Sequence, residues 1–453
     1  MSLPLSYSNT TDYLKDTLTF LNNHQWIYNF PNTHILVKDI FKYFPCDWFD
    51  YFKGLSNDEL NKFPTNCLNN CPSTLKELLN KINTLSPSSS NHKCFSEEVP
   101  TFTHNCGLSD KKQHEIVTLA PIINNVCKSE IIIDIGSGLG YLSHHLNSKY
   151  GYKVLGIECS KQYIDLALKN QEKFYGKSKN EVVFKEHYIN SESSETITTL
   201  VKNNFNSIGL TSSALVGLHA CADLSITILD VFSELDFIKS LVIMPCCYHR
   251  IELQNATEKE ELFFSFPISK TLNDVYNEFG AQKFLRRPFL RLSCQQSIGH
   301  FVTMTDKEHE RHSRNLMFRC ILQYVAEAQN CEVKRLKRKS NTTISQNPDE
   351  DFEIYLKNLQ NNHRLITIKS SIELNIDDIF LEKMRDKWRE YRDKCYLIEV
   401  LTGFQAAIQS MCENIILLDR IEYLKEKGFQ CMVQKVTDDI LSPRCHALIA
   451  TKE

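Results

Sequence analysis

The segment Ile131–Leu146, IIIDIGSGLGYLSHHL, constrains this chain more than any other. It opens with a β-branched apolar run ending near Asp134, continues through Gly136, Ser137, Gly138 and Gly140, and turns helical at Tyr141. Glycines at this density let the backbone turn tightly and approach a ligand closely, and the first turn of the following helix offers unpaired N–H groups. Around this segment, short β-branched runs alternate with helical stretches. After a helix-like Asp110–Cys127 come Ile131–Ile135, Lys153–Ile157, Val182–Glu186, Ala214–Leu218 and Leu241–Met244. Strands spaced in this way imply βαβ units and a parallel sheet.

The pattern that closes the sheet arrives late. Glu413–Gly428 reads as an amphipathic helix, followed by strand-like Phe429–Val436 and Cys445–Thr451 with a turn containing Ser442 and Pro443 between them. The expected fold is α/β, a Rossmann-like seven-strand sheet of the class I methyltransferase type. Four segments follow: a helical N-terminal domain at 1–90, the core at 105–250, a mainly helical insertion at 251–395, and the closing helices and strands at 396–453. The N-terminal stretches are Tyr13–Trp26, His34–Phe44, Trp48–Lys62 and Thr74–Asn83, and the polar run Ser86–Asn91 marks the boundary. Within the insertion, Lys307–Asn330 and Asp378–Lys394 read as helices around the polar break Ser340–Asp351.

The glycine spacing selects a ligand. G-x-G-x-G preceded by Asp134 differs from the G-x-G-x-x-G of dinucleotide sites, where a pyrophosphate rests on the helix N-terminus. S-adenosylmethionine (SAM) carries no phosphate. The next strand-like run, KVLGIE, ends in Glu158 before Cys159, where a carboxylate accepts both hydroxyls of a ribose. On the lead-in helix, SDKKQHEI supplies Lys111, Lys112, His114 and Glu115, and a cation there, Lys112 or His114, meets a ligand carboxylate. Glu186 and His187 at the third strand end are the candidates for the adenine side.

The fourth and fifth strand-like runs end in polar clusters. ALVGLHACADL places His219, Cys221 and Asp223 at one carboxyl end, and LVIMPCCYH places Cys246, Cys247, Tyr248 and His249 at the next. Ligands of open α/β sheets bind at those ends, so both clusters are expected to face the reacting group. His219 or Asp223 is the candidate general base, and Cys246, Tyr248 and His249 line the acceptor side. No metal is expected, although the ligand types suit zinc, because adjacent Cys246 and Cys247 on an extended segment point in different directions. Cys67 and Cys71, with Cys94 and Cys106 further on, read as structural thiols.

Composition limits the remaining choices. Of 453 residues, 42% are hydrophobic and 24% charged, with 14 Gly and 13 Pro, which excludes collagenous and disordered classes. The net charge of −3 gives no global attraction to nucleic acid or membrane, so an anionic partner needs a local patch. Two basic clusters stand out, Arg286, Arg287 and Arg291, and the run Lys334–Lys339, KRLKRK; they suit RNA phosphates or nuclear import, or are simply solvated. No apolar stretch approaches the ~20 residues that span a bilayer, and 17 scattered cysteines fit a reducing compartment. A cytoplasmic or nuclear, non-secreted, non-membrane chain is expected.

The blocks SDKKQHEI, DIGSGLGYLSHHL, GIECS, LHACADLS, MPCCYH, RLSCQQS, LLDRIEYLKEKGF and SPRCHALIATK together resemble the methyltransferase-like protein 25 family, sometimes described as carrying a ribosomal RNA adenine dimethylase domain. The resemblance runs from about residue 109 to the C-terminus. It implies a SAM site at Asp134, Gly136, Gly138, Gly140 and Glu158, with His219, Cys221 and Asp223 beside it. Ala222 stands where the family usually has Gly. The Asn/Asp-Pro-Pro-aromatic block of adenine dimethylases is absent, LHACADLS standing in its place. LHAC and CCYH are more distantly similar to a eukaryotic tRNA 2′-O-methyltransferase. The implied activity is methyl transfer to an N or O acceptor, RNA by preference. A protein acceptor, or a SAM-binding scaffold without turnover, is the alternative.

Overall fold

The computed structural model describes residues 3–66, 70–87, 108–176, 181–205, 212–336, 345 and 347–452. Cys67, Cys94 and Cys106, and the basic run beyond residue 336, lie outside them.

The sheet has seven strands: β1 (Ile131–Ile135), β2 (Lys153–Glu158), β3 (Val182–Glu186), β4 (Ser213–Cys221), β5 (Ile238–Cys246), β6 (Gln430–Lys435) and β7 (His446–Thr451). Their order is β6-β7-β5-β4-β1-β2-β3. The first five are parallel, β7 runs antiparallel to β5, and β6 antiparallel to β7. This is the class I methyltransferase sheet expected from the sequence. Five helices matter for the site: α1 (Asp110–Val126), α2 (Tyr141–Tyr150), α3 (Lys161–Phe174), α4 (Ser193–Phe205) and α5 (Leu224–Glu234). A sixth, α6 (Cys395–Glu426), is longer than the expected Glu413–Gly428.

Every residue of β1 is buried, because the sheet is covered on both faces. Ile131, Ile133 and Ile135 pack on one side with Ile197, Val201, Leu229, Phe232 and Leu417. Ile132 packs on the other side with Leu119, Ile123, Leu146, Ile164 and Phe184. Burial of a branched aliphatic side chain contributes about 1.5–3 kcal/mol, so β1 anchors both cores. The chain leaves β1 towards β2 and β3 and then returns to form β4 on its other side. The crevice between the carboxyl ends of β1 and β4 is therefore the switch point where such sheets hold ligands.

The chain divides into two compact units, one of residues 1–23, 84–297 and 409–453, the other of residues 24–83 and 298–408. This differs from the boundaries read in the sequence. The N-terminal helix Thr10–Asn23 belongs to the sheet unit, where Tyr13 is fully buried, donates to Leu85 O and accepts from Asn414 Nδ2. Residues 251–297 belong there too, including the hairpin Leu253–Ala256 and Glu261–Phe263. The second unit is not purely helical: Cys331–Arg335, His363–Thr367 and Glu373–Leu374 form a small antiparallel sheet. Its core contains Trp48, Phe52, Phe63 and Phe404, and Gly403 is small because a Cβ there would lie 2.4 Å from Phe63 Cζ. The helices expected at 307–330 and 378–394 are Asp306–Glu327 and Asp378–Tyr391.

Candidate active site

The end of β1 is shaped by its glycines. Gly136, Gly138 and Gly140 have φ of 69°, 55° and 78°, which places the turn in the left-handed region that favours glycine. Gly140 has a second reason: a Cβ there would lie 2.4 Å from the Phe184 ring, which also packs against Gly156. The loop is pinned from β2, since Gly136 N donates to Ile157 O at 2.8 Å and Gly138 N donates to Glu158 Oε2 at 3.1 Å. Glu158, 8% exposed, also accepts from Ser160 N and from the Cys159 thiol. Ser137 Oγ is buried with no hydrogen-bond partner.

Asp134 is buried behind the loop and accepts from Ser143 Oγ at 2.6 Å. Burial pushes its carboxyl up to about 7; the Ser143 hydrogen bond opposes this and the nearby Glu158 charge adds to it. Tyr141, half-buried, begins α2 directly after Gly140. His187 follows β3 beside Glu158: its backbone N–H donates to Glu158 O, and its ring Nε2 is 2.9 Å from Ser193 Oγ.

The ends of β4 and β5 are assembled from further afield. His219 Nε2 lies 3.1 Å from Glu115 Oε2 on α1, and Ser442 Oγ donates to Glu115 Oε1 at 2.6 Å. Burial opposes a charge on Glu115, yet His219 and Ser442 hold its carboxyl below the usual range. Lys111 Nζ is 3.8 Å from the same carboxylate. Asp223 Oδ2 accepts from Glu252 N at 3.1 Å, while its Oδ1 is buried and unpartnered. Cys221 Sγ and Cys246 Sγ are 3.1 Å apart, and Arg444 reaches Cys247 Sγ at 3.9 Å.

Several sequence expectations meet a different geometry. Lys112 is exposed, and His114 Nε2 accepts from Asp438 N, tying α1 to the 438–442 turn; Glu115 and Lys111 from the same helix are the ones near His219. Tyr248 does not form an accessible wall: it is 1% exposed and its hydroxyl donates to Pro245 O and Glu413 Oε1. Burial raises its hydroxyl pKa far above the ordinary value. His249 Nδ1 sits 3.1 Å from Cys294 Sγ, and burial lowers the pKa of its ring. Cys246 and Cys247 do not diverge, because Cys247 is left-handed at φ 55° and ends the strand. Of the arginines, Arg287 donates to His249 O and Ile251 O and Arg286 pairs with Glu261, leaving Arg291 exposed.

Glu115 was legible as a helix residue but not as the partner of His219, Ser442 was read only as part of a turn, and Arg444 was not singled out. An acidic residue with three polar neighbours in one short helix block was the available signal.

These elements define the class: a class I methyltransferase fold with its glycine loop and acidic strand ends at the switch point. Residues 111–254 match the family model described as Methyltransferase domain, so the chain carries one. The human Probable methyltransferase-like protein 25 (Homo sapiens) is 22% identical, over 76% of this chain and 74% of its own length. The mouse protein of the same name (Mus musculus) is 24% identical over 53% of this chain, and the match spans 37% of that relative's length. Among solved structures, coclaurine N-methyltransferase bound to N-methylheliamine and SAH is 12% identical, covers 98% of this chain and 95% of its own, and has a TM-score of 0.26. A likeness at that level adds nothing further about this chain. No helix among the described residues is long and apolar enough to cross a membrane.

Proposed function

We propose that this chain is a SAM-dependent methyltransferase acting on an N or O acceptor, with RNA as the acceptor class. One observation carries the cofactor reading. Glu158 closes the end of β2 with its carboxylate against the Gly138 N–H, beside a loop whose three glycines lie in the left-handed region and a buried, unpartnered Ser137 Oγ. That arrangement fits a ribose and a phosphate-free body: the carboxylate takes paired hydroxyls and Ser137 supplies an unmet polar atom. Asp134, Gly136, Ser137, Gly138, Gly140, Tyr141, Glu158 and Cys159 would hold the cofactor. Once bound, it supplies a sulfonium-activated methyl group.

The protein's own work is positioning, water exclusion and proton removal. With Nε2 of His219 keeping its proton and facing the Glu115 carboxylate 3.1 Å away, Nδ1 is left to take a proton from the acceptor, and the buried carboxylate stabilises the imidazolium that forms. Asp223 is the second candidate base through its unpartnered Oδ1. The RNA reading rests on Arg291, which is exposed, and on the basic run that begins at Lys334. A protein acceptor and a non-catalytic scaffold are the rivals.

The test is calorimetric SAM binding by the purified chain and its Asp134→Ala and Glu158→Ala variants, followed by labelled-methyl transfer to separated RNA and protein fractions. Binding lost in both variants with label in RNA is expected. Label in protein alone would overturn the acceptor class, and binding without turnover on any fraction would leave the scaffold.

A further inference from the structure

We propose that Cys221, Cys246 and Cys247 form a three-thiolate zinc site at the carboxyl ends of β4 and β5. Their three sulfurs all lie within 4.8 Å of one another, and Cys221 and Cys246 approach to 3.1 Å. Tetrahedral zinc with Zn–S bonds near 2.3 Å sets its sulfurs about 3.8 Å apart, so the cluster is already at the required scale.

The backbone is bent to achieve this. Successive side chains of a strand point to opposite faces, so Cys246 and Cys247 meet the same point only because Cys247 has φ 55°. Across the sheet Cys221 is the register partner of Cys246, and Ala222 follows it at φ 49°, its N–H donating to Cys246 O at 2.9 Å. The other described non-glycine residues with positive φ are Asp39, Asn70, Asn330 and Ser371, which are short polar residues. Asn and Asp bond locally and tolerate that region, whereas Ala and Cys have no such compensation. Left-handed backbone at both strand ends that carry the thiols is the kind of strain that persists where a site requires it.

Charge and access agree. On binding, three thiols release three protons, and three thiolates with Zn²⁺ carry a net charge of −1, which the Arg444 guanidinium 3.9 Å from Cys247 Sγ offsets. Thiolate sulfur is the donor that selects zinc over the oxygen-seeking cations. Cys246 is buried while Cys221 and Cys247 are half-buried, so the metal has an entry side. Three protein ligands leave the fourth zinc position open, as in reactive rather than purely structural zinc sites. The His249–Cys294 pair at 3.1 Å lies outside the three-sulfur set. The proposal does not depend on the methyl-transfer reading.

The full chain, purified under reducing conditions without chelator, is assayed for metal by mass spectrometry, then stripped and titrated with Co²⁺. One zinc per chain is expected, together with tetrahedral cobalt absorption and a thiolate-to-cobalt charge-transfer band. Cys221→Ser and Cys247→Ser should each weaken cobalt affinity at least tenfold. Cys294→Ser should leave affinity within twofold, and circular dichroism confirms that each variant is folded. Four results would overturn the site: a folded protein with less than a tenth of an equivalent of zinc and no cobalt band, an unchanged band in both ligand variants, equal loss in Cys294→Ser, or a Cys221–Cys246 disulfide under these conditions.

Discussion

The crevice is lined by two unequal halves. At the β1–β2 end the glycine loop, its carboxylate latch and the buried Asp134 all come from the one short stretch Asp134 to Ser160, backed by the Phe184 ring of β3. At the β4–β5 end His219 meets Glu115 from α1 and, through it, Ser442 from the β6–β7 turn, while Tyr248 meets Glu413 from α6. The first half is set by backbone geometry and the second by tertiary assembly. A loop whose shape is dictated by glycines holds a constant ligand, whereas a wall gathered from distant segments can change its chemistry by changing one of them.

The comparison breaks most visibly at the latch. Glu158→Ala should weaken SAM binding at least 100-fold, about 3 kcal/mol, by calorimetry, while leaving the β4–β5 end intact. Equal binding would mean that the cofactor is not read at this end. Glu115→Gln should do the opposite: roughly a 10- to 30-fold loss of kcat with unchanged SAM affinity, measured as initial rates across pH. A loss of cofactor binding instead would show that the two halves are not separable.

A smaller effect lies in the pH dependence of the ligand-free protein. The folded pKa of Asp134, about 7, stands above its unfolded value of 3.8. Its contribution is therefore fully present below about pH 4 and is lost as pH rises through about 7. Asp134→Asn should flatten the fall in melting temperature between those limits. A variant whose slope matches the wild type would remove Asp134 as its cause. The smallest change is expected for Arg291→Ala, with RNA retention reduced about two- to threefold at low salt and not at all at high salt.

The sheet and the glycine half were legible because their signals are local: strand periodicity, glycine spacing, and an acidic residue at the next strand end. The assembled half was legible only in part. His219, Asp223 and the cysteines stood out at their strand ends, but nothing in the sequence pairs His219 with Glu115 or turns Cys247 into the left-handed region. Tyr248 was misplaced for the same reason. An aromatic residue after a strand reads as a pocket wall, and only the arrival of Glu413 shows it as buried packing. The unit boundaries were hidden because the chain crosses between the two compact units repeatedly, at residues 23, 83, 297 and 408.

The position of β7 bears on how such a chain comes to be folded. It inserts between β5 and β6, pairing with Ser240–Ile243 through residues 448–451. Until that last strand docks, β5 presents an unpaired edge, and residues 247–445 intervene before its partner. Open edges template pairing with other chains, and closing such a distant contact is slow. Truncation within the final strand should therefore show first as aggregation during refolding, before any deficit at the glycine loop is seen.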